Sequence, residues 1–216
     1  MTDTLLDNDI VMKVCCYGLQ QETLDILTDC GRVPAVLPVT RFVATDRLER
    51  SVPIEARTAT LDRLASMLAS LGVAEPDSGE LQLAASFEAE AQRLNLELDI
   101  GESQLLAMLI SRKLRLLVTG DKRAIRAIES VAGASAAASL ACLEQLTASL
   151  IERIGLANVL ARICSNPSVD RALFNCFGCH SGGAEAAAVT EGLRSYIADL
   201  RSGASRVLIA SDRLAG

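Results

Sequence analysis

Apolar residues recur along this chain in two rhythms. Short runs at Leu5-Leu6, Val33 to Leu37 and Leu114 to Thr119 read as buried strands. Between them the spacing changes to three and four. Ile10, Val11, Val14 and Tyr17 mark a helix over 10–19, Leu24 and Leu27 mark a second that stops near Gly31, and a third spans Val39 to Arg50. Leu61, Leu64, Leu68 and Leu71 share one face of a helix closed by Gly72, and Leu81 to Leu94 forms another, stopped at Asn95. Val73 to Glu80, with Pro76, Asp77 and Gly79, reads as a loop. Leu96-Glu97-Leu98 reads as a short strand, Glu102 to Lys113 as a helix burying Leu105, Leu106, Leu109 and Ile110, and Lys122 to Val131 as a helix burying Ala124, Ile125 and Ile128. Ala134 to Leu143 supplies a last strand of small residues. Pro34 argues against the 33–37 strand or confines it to a sheet edge.

Strands alternating with helices imply parallel pairing through right-handed crossovers. The fold class that follows is α/β, a three-layer α/β/α sandwich with a central parallel sheet, followed by C-terminal helices. Those helices are expected at about 143–154, 156–164, 168–177 and 184–201, and the change of pattern sets a boundary near residue 150, with an α/β part over 1–150 and a helical extension over 151–216. No repeat of 20–50 residues is present. One short echo, Arg115-Leu-Leu-Val-Thr-Gly-Asp121 against Arg206-Val-Leu-Ile-Ala-Ser-Asp212, is read as coincidence.

Composition narrows the picture. In 216 residues half are apolar and 3% aromatic, with no Trp, so the core must be built of Leu, Ile, Val and Ala. The net charge of −6 excludes a global positive field for nucleic acid, and any such binding needs a local basic patch. No stretch reaches the roughly 18–20 apolar residues of a membrane span. The start, Met1-Thr2-Asp3-Thr4, has neither the basic nor the apolar region of a secretory signal. The expected location is therefore the cytoplasm, and the seven cysteines are expected as reduced thiols.

Acidic residues stand where strands hand over to helices: Asp7-Asn8-Asp9, Asp99-Ile100-Gly101-Glu102, Thr119-Gly120-Asp121 and, more weakly, Thr45-Asp46. Taken singly each is a helix cap, and Asp99 with Glu102 has the spacing of a capping box. Taken together they fall at the carboxyl ends of strands, the edge where open α/β sheets bind ligands. Clustered carboxylates repel one another unless a cation compensates, and all-oxygen donors suit Mg²⁺ or Mn²⁺.

These motifs resemble the PIN domain over about residues 4–150: Leu-Leu-Asp-Asn-Asp at the start, Asp-Ile-Gly-Glu-Ser before a Leu-rich helix, and Leu-Leu-Val-Thr-Gly-Asp-Lys-Arg-Ala on the next strand. The resemblance implies a metal-dependent ribonuclease, toxin-like or RNA-processing, with Mg²⁺ or Mn²⁺ as cofactor. Its partners would be an RNA substrate and an antitoxin-like protein inhibitor. By the same likeness Asp7 is the first-strand metal ligand, Asp99 and Glu102 form the acidic pair of an Asp-x-Gly-Glu variant, and Asp121 is the late-strand acid. Asn8, Asp9 and Thr119 are supporting residues. The family usually adds a Glu on the helix after the second strand. Here that helix has no Glu in register, and Asp46 is the candidate substitute.

Arg112, Lys113, Arg115, Lys122, Arg123 and Arg126 could form a local track for RNA phosphates; Arg112, Lys113 and Arg115 read rather as a solvated face, and Lys122 and Arg123, next to Asp121, are the better phosphate candidates. Cys164, Cys176, Cys179 and His180 could make a zinc site, and Cys176-Phe-Gly-Cys179-His180 also has the haem-attachment spacing, although free thiols on an apolar face explain the same residues. Two other functions stay open. A PIN-like scaffold lacking one ligand could be an inactive binding or regulatory module, self-associating as a homodimer or docking a partner through the C-terminal helices. Asp7-Asn8-Asp9 also resembles the nucleophile motif of haloacid-dehalogenase phosphatases, but the second late acid of that family is missing after Asp121.

Overall fold

The computed structural model describes residues 2–50 and 56–214. Residues 1, 51–55 and 215–216, which include the outer ends of the two expected parts, lie outside the described residues. The chain runs β1 (Thr4–Leu6), α1 (Asn8–Tyr17), α2 (Gln20–Leu27), β2 (Ala35–Val36), α3 (Thr40–Arg50), α4 (Arg57–Ser70), β3 (Gly72–Val73) and α5 (Ser78–Arg93). It continues through α6 (Ile100–Ser111), β4 (Leu116–Thr119), α7 (Lys122–Ala132), β5 (Leu140–Cys142), α8 (Leu143–Ile154), α9 (Leu156–Cys164), α10 (Arg171–Cys176) and α11 (Ala186–Gly203).

The strands form one five-stranded sheet in the order β3-β2-β1-β4-β5, parallel throughout. Leu5 pairs with Ala35 on one side and Leu117 on the other. Side chains alternate across the sheet, as the pleat requires. Leu6, Val118 and Ala141 enter one apolar cluster with α1, α2, α4 and α8. Leu5, Leu117 and Leu140 enter a second cluster with α6 and α7. Two helical layers on opposite faces make the three-layer sandwich expected of the sequence. Helix α11 spans both clusters, contributing Val189 and Leu193 to the first and Ile197 and Leu200 to the second. Residue 150 falls inside α8, and residues on both sides of it share a core.

Several elements differ from the sequence reading. Leu96–Leu98 forms no strand. Asn95 turns the chain at φ +56, the Leu96 amide returns to Ala91, and Leu98 plugs the second cluster. The alternation of Leu96 and Leu98 thus reflects a partly buried Leu98 packed on the core rather than a ladder. Gly72–Val73, read as a helix stop and loop, is instead an edge strand, too short to show any period in sequence. Pro34 does not confine β2 to an edge: β2 lies between β3 and β1. The proline stands just before the strand, where its carbonyl accepts from the Gly72 amide at 2.9 Å and its missing N–H costs nothing.

The two echoing segments flank β5 on either side. β4 pairs with it on one edge, and Leu208 bridges Leu140 in parallel on the other, with Ile209 N donating to Leu140 O at 2.9 Å. A shared need for apolar residues on a parallel ladder accounts for the likeness.

The cysteines are not all free. Cys164, at the end of α9, is joined to Cys179 in the short 3-10 turn Cys179–Ser181. Gly178, at φ +61, makes the turn that brings Cys179 back. The bridge uses two of the thiols considered for zinc, and buried Cys176 stays apart from it. The basic residues Arg112, Arg115 and Arg126 are held by Glu80, Asp3 and Asp199 respectively. No helix among the described residues is long and apolar enough to cross a membrane.

Reducing the Cys164–Cys179 bridge, which spans 15 residues, should remove roughly 3 kcal/mol of stability. Calorimetry with and without a dithiol reductant checks this, and the same Tm in both would show that the loop is held by packing alone.

Candidate metal centre

Strand order reverses at the centre of the sheet. From β1 the chain works outward to β2 and β3, then returns to place β4 on the other side of β1. The crevice between the carboxyl ends of β1 and β4 is the topological switch point, where parallel sheets bind ligands. Asp7 directly follows β1, and Asp121 follows β4 after Gly120. The Asp7 amide still bonds Val118 O at 3.0 Å, so the two strand ends are level. Thr119 links them: its hydroxyl donates to Asp7 Oδ2 at 3.1 Å and accepts from the Asp121 amide at 3.1 Å.

Asp99 and Glu102 arrive from the start of α6. They make a reciprocal capping box, with Glu102 N to Asp99 Oδ1 at 2.8 Å and Asp99 N to Glu102 Oε2 at 2.9 Å. Asp7, Asp99, Glu102 and Asp121 therefore line one open cavity of about 480 Å³, together with the supporting residues Asn8 and Asp9. The capping expected of the acids is present as well, since Asp7 and Asp121 cap α1 and α7.

Asp46 is not brought to the site. Thr40, Ala44 and Leu48 form the buried stripe of α3, which turns Asp46 to the opposite, solvent face, where it pairs with Arg50 at 2.8 Å. Arg47, on the flank of that stripe, lines the cavity instead. On the α3 side a guanidinium thus stands where the resemblance led to an acid.

Sequence reasoning missed Lys13 and Arg47. Lys13 Nζ bridges Asp9 and Asp170, each at 2.7 Å. Its expected signal was present, an Asp9–Lys13 pair one helical turn apart, but Asp170 is distant in sequence. Lys122 and Arg123 both line the cavity as anticipated, each already engaged. Lys122 meets Glu144 at 2.5 Å, and Arg123 meets Glu97 at 2.6 Å and Asp121 at 3.1 Å. Acids outside the cavity therefore hold three of its cations, and the central carboxylates keep an excess of negative charge.

Burial, neighbouring charges and hydrogen bonds together set their proton affinities. Burial, with the charge of Asp9, pushes Asp7 up to about 6 against hydrogen bonds from Thr119 and Asn8. Burial pushes Glu102 up to about 8; the Asp99 amide opposes this, and the charges of Asp99, Asp7 and Asp121 add to it. Burial acts the same way on Asp121, but its bonds to Arg123 outweigh it and hold this carboxyl below its ordinary range.

Among the described residues no three His, Cys, Asp or Glu side chains are already gathered around a point for ligation. The donor chemistry nonetheless fits a hard divalent cation. The donors are carboxylate oxygens, and Asp99 Oδ2 and Glu102 Oε1 accept no hydrogen bond among the described residues. Close approach is built in at Gly120, where a Cβ would fall 2.0 Å from Asp9 Oδ2.

Asp7 and Glu102 hold protons more tightly folded than at their ordinary values of 3.8 and 4.5. Between about pH 4 and pH 8 these two groups therefore bind more protons in the folded protein than in the unfolded chain, and they subtract stability as pH rises. Without added cation, Tm should fall between about pH 5 and pH 8. Glu102→Gln keeps the capping bond and should flatten that fall, melting higher than wild type at about pH 8. An equally steep fall in the variant would contradict this account of Glu102.

In sequence the chain matches no model of a known protein family, and it matches no curated protein.

Proposed function

We propose that this chain is a divalent-cation-dependent nuclease that hydrolyses RNA phosphodiesters, as its PIN-like residues imply. The convergence of Asp7, Asp99, Glu102 and Asp121 on one cavity at the strand-order reversal carries the reading. These four residues would hold Mg²⁺ or Mn²⁺. When bound, such an ion supplies an activated water and neutralises charge at phosphorus.

The chain's own residues set the rest. Thr119 fixes Asp7 relative to Asp121 through its two hydrogen bonds. Lys13 restrains Asp9 beside Gly120. Arg47 has no ion-pair partner among the described residues, so its planar donor fork is available to a phosphate. In a protein of net charge −6, cations placed locally at the cavity are the means of holding a polyanion.

A second reading, a binding or regulatory module without catalysis, is favoured by one observation. Helix α3 offers Arg47 and not a carboxylate, while Arg123 already occupies Asp121. In that case a protein partner would engage the scaffold without turnover.

Two experiments separate these readings. Wild type should bind Mn²⁺ in calorimetry and cleave single-stranded RNA only with the metal present. Asp7→Asn keeps a good helix cap and should cut the rate by at least roughly 100-fold, the upper end for disturbing even a second-shell partner. Mn²⁺ binding with no cleavage of any RNA would leave the module reading, and full cleavage by Asp7→Asn would sink the site assignment. Arg47→Glu adds the missing carboxylate and removes the free cation. It should bind Mn²⁺ more tightly and RNA more weakly than wild type, and unchanged titrations of both would remove Arg47 from the site.

A further inference from the structure

Lys122 opens α7, directly after Asp121. A cation at a helix N-terminus works against the helix dipole, yet this one is drawn inward. Its Nζ lies 2.5 Å from Glu144 Oε1 and 4.4 Å from the centroid of the Tyr196 ring. Glu144 is in the first turn of α8, just past β5, and its residue is only 1% exposed. Its second oxygen, Oε2, is buried with no hydrogen-bond partner among the described residues. Burying an acid and half-burying a lysine is costly unless each satisfies the other, and a helix start gains the same dipole stabilisation from an exposed glutamate. The arrangement makes sense if its product is a lysine held in one place.

We infer that Glu144 and Tyr196 are positioning residues that seat Lys122 as a fixed phosphate-binding ammonium at the edge of the carboxylate cavity. An ammonium carries three N–H donors. One meets Glu144 and the Tyr196 ring takes another face, which leaves donor capacity on the ammonium of a residue that lines the cavity. The seat comes from α8 and α11, so the helices beyond the sheet act at the site. The choice of an RNA strand as ligand rests on the nuclease reading, whereas the seat itself does not.

The test measures binding of a fluorescein-labelled single-stranded RNA by anisotropy across a salt series, with EDTA present so that no cleavage enters. Lys122→Met should weaken binding about 10-fold and reduce the log–log salt slope by about 0.7, the value for one single-strand phosphate contact. Tyr196→Leu should weaken it about 3-fold, Tyr196→Phe should bind as wild type does, and Tyr196→Leu should have no effect when Lys122 is already Met. Circular dichroism checks that each variant is folded, and Tyr196→Met carries the same expectation as Tyr196→Leu if the latter is not. A role in folding alone would shift melting without moving the salt slope or showing rescue by Phe, and that result overturns the inference. So does failure of wild type to bind the RNA, or equal weakening by Tyr196→Leu with and without Lys122. Metal-independent or absent cleavage, with this pattern intact, would instead count only against the nuclease reading.

Discussion

Carboxylates that are withdrawn from water at one edge of a sheet must be compensated, and much of this structure is arranged around that constraint. The sheet order puts β1 and β4 side by side with their carboxyl ends level, so Asp7 and Asp121 cannot avoid each other's neighbourhood. Thr119 ties the two together. The start of α6 then adds Asp99 and Glu102 to the same cavity. Burial and mutual repulsion raise Asp7 and Glu102 well above ordinary carboxylates, which is the electrostatic condition that a bound cation would relieve.

The cations near the cavity relieve it only in part, because three of the four are shared with an acid from elsewhere. Asp170, the cap of α10, holds Lys13. Glu144 of α8 holds Lys122, and Glu97, before α6, holds Arg123. These outside anchors fix where positive charge stands without cancelling the negative charge at the centre. Two of the three lie beyond β5, and the Cys164–Cys179 bridge closes the loop that carries Asp170. The C-terminal helices are in this way part of the site's electrostatics, as well as sharing the core of the sheet.

Much of this was legible in the chain. The alternation of apolar runs with three-and-four spacing located four of the five strands and the helices. Asp7 and Asp121 could be read as neighbours because strand ends of a parallel sheet share an edge, whereas Asp99 and Glu102 join them from a helix start with no strand directly before it. The rest depended on information that spacing does not carry. A two-residue edge strand at Gly72–Val73 has no period. The contrast between Asp46 and Arg47 turns on which face of α3 is buried, and a helix start misplaced by one residue rotates that face by about 100°. Lys13 and Glu144 take their roles from partners on other elements, and the pairing of Cys164 with Cys179 is one of many that seven cysteines allow.

The central claim is that the four carboxylates form one cation site. It is tested most directly by anomalous diffraction from crystals grown or soaked with Mn²⁺. An anomalous peak is expected within about 2.0–2.6 Å of carboxylate oxygens drawn from Asp7, Asp99, Glu102 and Asp121. A well-ordered cavity with its capping bonds intact and no peak at saturating Mn²⁺, or a peak held only by other residues, would contradict it.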